Sequence, residues 1–281
     1  MARASALHAE GQGFESLNIH HFCHNKTLLM NNKIILYTEK KFFSENKDPD
    51  IFNIDLRDCQ QWLYSRDKLC LHKGKNLEYD YLFLETPCYM RIASDCIINM
   101  NENYREYKQT NEQHLSNTSD YFRGLYQKYV DSAYTIGGEI IFPKRLYSIN
   151  VIRGQNTKIK DRFDLTLECI KRFYASIDNP DDGIIDNPLY ETLDQDRAFF
   201  SLFDGFRDYV NFFFLDDLVK NDNVKFYFGE YDDDVFNHSA LAWNQSEWEQ
   251  MLENQLKFLD ARNTRIHKFC NQNKQKTKNA Q

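Results

Sequence analysis

One stretch constrains this chain more than any other: residues 134–174, YTIGGEIIFPKRLYSINVIRGQNTKIKDRFDLTLECIKRFY. Phe163, Leu167, Ile170 and Tyr174 recur at i, i+4, i+7 and i+11, the spacing of one buried helical stripe. Asp161, Asp164, Glu168 and Lys171 fall on another face. Upstream, Gly137-Gly138 turn the chain into the strand EIIF, Pro143 ends it, and SINVI reads as the next strand. Alternation would put Ser148 and Asn150 on one face of that strand, with Arg153-Gly154 at its exit.

The flanking sequence supplies the rest of the elements. Leu56, Cys59, Trp62 and Leu63 predict a helix over Ile54–Leu69. Leu77–Leu84 and the YMRIASD run, separated by Pro87, predict a strand hairpin ending at Ser94-Asp95. KIILY at 33–37 reads as a short strand, Asn99–Asn117 as a polar connection, and Ser119–Ser132 as an amphipathic helix. After the Pro-Asp-Asp-Gly loop come a helix over Leu189–Phe203, a buried helix over Phe206–Val219 and a short strand over Val224–Phe228. A last helix, capped by Asn244 or Ser246, extends to about Phe269. The fold class is α+β, a small mixed or antiparallel sheet packed with a mostly helical C-terminal half. Residues 30–270 are read as a single domain and 271–281 as a disordered tail.

Composition excludes several classes. Chain length allows one large or two small domains, and 22 Phe with 17 Tyr can fill a sizeable core. A net charge of −7 disfavours a dedicated nucleic-acid binder. Seven cysteines without a C-x-x-C pair make neither a disulfide framework nor a zinc site, and imply a reducing cytoplasm. No apolar run approaches the roughly 18 residues of a membrane helix, and no signal peptide is recognisable.

The opening has its own explanation. Gly13-Phe14-Glu15-Ser16-Leu17 can be written GGG TTC GAA TCC CTT, and with Gln12 as CAA the ends pair as AAGGG with CCCTT. That is how the T-arm of a tRNA gene reads, so residues 1–29 are taken as a spurious extension, with Met30 as the start. His20, His21, Cys23 and His24 then cease to be a metal tract. A gene beside a tRNA suggests a mobile element, where defence and accessory genes collect.

The candidate site gathers around the central block. Asp164 and Glu168 are like charges at i, i+4, a mildly unfavourable pair usually relieved by a cation or solvent. Two readings stand for the carboxylates. Asp161, Asp164 and Glu168 act as acid, base or metal ligand beside Arg153, Arg162 or Arg172, or they are ordinary helix-end charges. No second ligand cluster supports a metal. Arg153 before Gly154 presents a guanidinium to a phosphate or carboxylate, or pairs with the acids that follow. Ser94, Asp95, Ser148 and Asn150 complete the ligand-binding set, with Asn263 and Arg265 on the last helix, where ion pairing is the default.

KDPD at 47–50, Ser94-Asp95, YTIGGEIIFP, SINVIRG, IKDRFDLTLECIKRFY, LFDGFRDYVNFFFLDDLV and ARNTRI at 261–266 together resemble an uncharacterised bacterial family, a domain of unknown function. The resemblance runs in order from Lys47 to Ile266 and departs at Val151, where the family pattern has Gln. It supports the domain extent and the choice of residues, and implies no reaction and no cofactor.

Two functions follow as expectations. The first is a domain that binds or acts on a phosphorylated or nucleotide-like small anion, with or without catalysis. The second is a non-catalytic interaction or accessory protein, with an exposed apolar patch on 206–219 as its mark.

Overall fold

The computed structural model describes residues 54–66, 68–73, 82–85, 89–98, 119–133, 135–178 and 186–279. The readings of residues 1–29, the 33–37 strand, the Asn99–Asn117 connection and the 179–185 loop lie outside them.

Helix α1 spans Ile54–Tyr64 and leads into strands β1 (Leu71–Lys73), β2 (Leu82–Leu84) and β3 (Met90–Cys96). Helix α2 (Asp120–Ser132) and a 3-10 turn at Ile136–Gly138 deliver β4 (Glu139–Pro143). The four strands form one antiparallel sheet in the order β1-β2-β3-β4. Helices α3 (Ile149–Gln155), α4 (Phe163–Asp178), α5 (Tyr190–Gln195), α6 (Arg197–Phe200) and α7 (Phe206–Phe212) follow. A two-stranded hairpin, β5 (Val219–Lys220) and β6 (Asn223–Val224), precedes the long helix α8 (Gln245–Asn279). The class is α+β, with an antiparallel sheet and a mostly helical C-terminal half. Among the described residues no helix is long and apolar enough to cross a membrane.

Four sequence expectations are corrected. SINVI is not a strand but the start of α3, with Ser148 at its N-cap position. Its β-branched residues suggest a strand, yet Ile149 and Arg153, at i and i+4, are the pair that turns inward. The 189–203 helix breaks at Asp196, whose carboxylate receives Arg145 Nε at 2.9 Å. The 206–219 helix stops at Phe212. Leu215 N–H donates to the Val210 carbonyl and Phe214 N–H to Asn211, a Schellman end with Phe214 at φ 58° where glycine is usual. A uniformly apolar FFFL run carries no period to announce that stop. The Val224–Phe228 strand reduces to its first residue, in β6. Helix α8 begins after Asn244, whose Oδ1 accepts from Glu247 N–H, as one of the two caps expected for it, and spans Gln245–Asn279.

Strand alternation sorts the polar residues of the sheet. Ser94 and Glu139 share one face, where Gln60 Nε2 of α1 donates to Ser94 Oγ and Ser94 donates to Glu139 Oε2, both at 2.7 Å. Asp95 lies on the other face, toward α3. Beneath the helical half lies an aromatic core in which Phe199, Phe203, Tyr209, Phe212 and Phe213 meet at centroid distances of 4.8 to 6.5 Å.

Arg262 of α8 joins the layers. It is fully buried, and its Nη1 donates to the carbonyls of Gly137 and Glu139 at 2.7 and 2.8 Å. These belong to the edge of β4 facing away from β3, since the intervening Gly138 carbonyl accepts from Ile97. Its Nε reaches the Phe213 carbonyl at 3.1 Å, and Nη2 the Tyr64 hydroxyl at 3.0 Å. One side chain thereby covers this sheet edge and supplies donors to its buried carbonyls.

Candidate functional site

Arginines and carboxylates do meet around the central block, but in three separate places. In the first, Arg153 of α3 is fully buried, with Nε 2.6 Å from Asp161 Oδ1 and 3.2 Å from Asp95 Oδ2, and Nη2 donating to the Cys96 carbonyl at 2.8 Å. Burial works against its charge, but Asp161 and Asp95 hold its pKa above the ordinary value. Lys160 and Asp161 adopt φ of 47° and 64°, and Asp161 N–H donates to the Arg153 carbonyl, so a left-handed turn brings this carboxylate onto the guanidinium.

In the second, Arg162 donates to Asp164 through Nε at 3.1 Å and Nη2 at 2.5 Å, and both side chains are buried. Its guanidinium lies 4.3 Å from the Phe228 ring centroid, and Asp164 Oδ2 also accepts from Tyr227 N–H at 2.8 Å. Burial opposes the Arg162 charge and Asp164 outweighs it, raising the pKa.

The third cluster is less deeply buried than the other two. Arg172 of α4 donates to Glu168 one turn back at 2.9 Å and grips Asp234 with two nitrogens at 2.9 and 3.1 Å. Burial tends to raise the Asp234 pKa, but the Arg172 and Phe236 N–H hydrogen bonds bring it below the usual carboxylate value. This pair lines a half-open cleft of about 680 Å³, within the range of small-molecule sites. Helix α4 is its floor. Lys171 Nζ reaches Asn223 Oδ1 of the β5–β6 hairpin at 3.1 Å, while the adjacent Arg172 reaches Asp234 in the 229–235 segment. The hairpin wall carries Lys220 and, just after β6, Lys225, and the other wall carries Glu230, Tyr231 and Asp233.

Pairing decides which of these charges remain available. Glu168, Asp234, Lys171 and Arg172 largely satisfy one another. Asp233 pairs with His238, whose hydrogen bond is the main cause lowering its pKa. Lys220 and Glu230 are exposed and make no ion pair among the described residues. Among the described residues Lys225 Nζ donates only to the Asp217 backbone carbonyl and meets no carboxylate, since the Asp217 carboxylate belongs to Arg265.

Of the residues the sequence nominates, Glu168 and Arg172 line this cleft, while Asp95, Arg153 and Asp161 form the first cluster and Arg162 and Asp164 the second. Ser94 serves the opposite sheet face. Ser148 Oγ donates to Asn150 Oδ1 at the start of α3. Asn263 accepts from Gly137 N–H and donates to Thr135, each at 2.9 Å, and Arg265 pairs with Asp216 and Asp217, so these two fasten α8 to its neighbours. Lys220, Lys225 and Glu230 also line the cleft and are not among the residues the sequence nominates. The signal for the first two was Asn221-Asp222, both at positive φ, a two-residue hairpin turn between short strands.

Arg153→Ala is expected to cost about 3 kcal/mol in stability, because it strands two carboxylates beside a buried gap. Denaturant unfolding checks this, and a loss below about 1 kcal/mol would contradict a structural role.

A family model described as Family of unknown function (DUF6994) matches residues 34–266. The chain belongs to that family. The DUF6994 match takes in the sheet, all three Arg–carboxylate pairs and the cleft, and ends at Ile266, where the resemblance in the sequence also ends. No curated protein and no solved structure matches the chain.

Proposed function

We propose that this DUF6994 chain binds a phosphorylated small molecule in the cleft over α4, with the phosphate on Lys220 and Lys225. The observation that carries the reading is that these two lysines, on one wall of a cleft of about 680 Å³, have no carboxylate partner among the described residues. Lys171 and Arg172 add positive potential from the floor, although their own carboxylate partners offset most of it. Binding, and not catalysis, is the reading supported. Asp161 and Asp164 face arginines away from the cleft, and Glu168 is held by Arg172, so none stands as a general base beside a ligand. The setting proposed is a reducing bacterial cytoplasm; the described cysteines are all free.

The accessory-protein reading, in a mobile-element or defence setting, looked to exposed apolar surface on 206–219. Tyr209, Val210 and Phe212–Leu215 are instead buried in the core.

The test is thermal unfolding with and without pyrophosphate and a nucleoside monophosphate. The wild type is expected to be stabilised by at least one of them. The K220E/K225E variant, changed only at exposed positions, is expected to keep its ligand-free stability to within about 0.5 kcal/mol. Its affinity is expected to fall at least about tenfold. An undiminished response in that variant would overturn the assignment.

A further inference from the structure

We infer that the ligand of this cleft is a phosphorylated sugar or nucleotide, with its sugar hydroxyls received by Glu230 and Asp233 across from the lysines. The inference rests on the phosphate reading above and adds what the other end of the ligand must be. Adjacent residues of α4 reach to opposite walls, Lys171 to the hairpin and Arg172 to the 229–235 segment, so the cleft is polarised across its width. Among the described residues, one side carries Lys220 and Lys225 without carboxylate partners, and the other carries Glu230 without a cation.

A polyanion filling such a cleft would meet repulsion from the acidic wall. An ionised carboxylate only accepts hydrogen bonds, so the group placed there must donate. Hydroxyls satisfy that requirement and add no charge. Asp233 already receives Asn237 Nδ2 and His238, which fixes its direction and leaves it the acceptor capacity for a neutral donor. Phe226, next to Lys225, and Tyr231 of the acidic wall also line the cleft, and their half-buried rings, 5.4 Å apart edge to face, offer an apolar surface for the carbon face of a sugar. The cleft volume suits one sugar phosphate or nucleotide.

The experiment measures dissociation constants by calorimetry for ribose 5-phosphate, 2-deoxyribose 5-phosphate, O-phosphoethanolamine and inorganic phosphate, using the full chain and its Glu230→Ala and Lys220→Glu variants. Ribose 5-phosphate is expected to bind at least tenfold tighter than inorganic phosphate, with the deoxy sugar between them. Glu230→Ala is expected to bring ribose 5-phosphate to within about threefold of inorganic phosphate. Equal binding of sugar phosphate and phosphate, both lost in Lys220→Glu, would overturn this inference and leave the phosphate site standing. Tighter binding of O-phosphoethanolamine than of ribose 5-phosphate would overturn it in favour of an amine at the acidic wall. Binding that is absent, or indifferent to Lys220→Glu, would remove both readings.

Discussion

Arg262→Met is expected to lower the melting temperature by roughly 10 °C or more. The substitution keeps a long side chain and deletes the guanidinium donors to the Phe213, Gly137 and Glu139 carbonyls and the Tyr64 hydroxyl. Each buried acceptor left without a partner costs about 1–3 kcal/mol, so the set amounts to about 4 kcal/mol or more. That is a large share of the roughly 5–15 kcal/mol that hold a domain together. Arg262→Lys is expected to recover less than half of the loss, because one ammonium cannot span carbonyls on two segments. A melting temperature within about 2 °C of wild type for the methionine variant would show that α8 does not close the sheet edge through this residue.

Gly138→Ala is expected to be at least as damaging, for a steric reason. A Cβ at Gly138 would stand 1.7 Å from the Ala133 backbone oxygen. Neither partner has room to withdraw. Gly138 N–H donates to the Thr135 carbonyl at 2.8 Å, its own carbonyl accepts from Ile97 at 2.8 Å, and Ala133 is fully buried. The constraint is close approach, not a left-handed backbone. Gly124 is the comparison: it sits on the exposed side of α2 with nothing within 4 Å, and Gly124→Ala is expected to stabilise by about 0.5–1 kcal/mol. Circular dichroism melts of the two variants read both effects, and equal melting temperatures would refute the steric account.

Much of the fold was legible because α1, α2, α4 and the first part of α8 carry their apolar residues at helical spacing and the β2–β3 hairpin straddles Pro87. Gly137-Gly138 marked the entry to β4 correctly, though the reason, the Ala133 oxygen, is a tertiary contact invisible from the chain alone. The errors have common causes. The strand reading of SINVI followed β-branched propensity where the Ile149 and Arg153 spacing carried the helix, and Phe214 ends α7 in a conformation that no sequence rule assigns to phenylalanine.

The candidate site was legible only in part. Glu168 and Arg172, at i and i+4, were nominated and do reach the cleft. Ser94 and Asp95 were nominated together, although adjacent strand residues face opposite sides of a sheet. Arg262 was passed over for Asn263 and Arg265, since nothing in a run of polar helix residues shows which one points inward. Lys220, Lys225 and Glu230 acquire significance only when the hairpin folds beside α4.

The most direct test of the account is where a ligand lands. Amide chemical shifts of the isotope-labelled chain, followed during titration with ribose 5-phosphate, are expected to move in residues 168–172, 219–226 and 229–235, the floor and two walls of the cleft. Shifts concentrated instead around Asp95, Arg153 and Asp161 would contradict it, and so would no shift at saturating ligand.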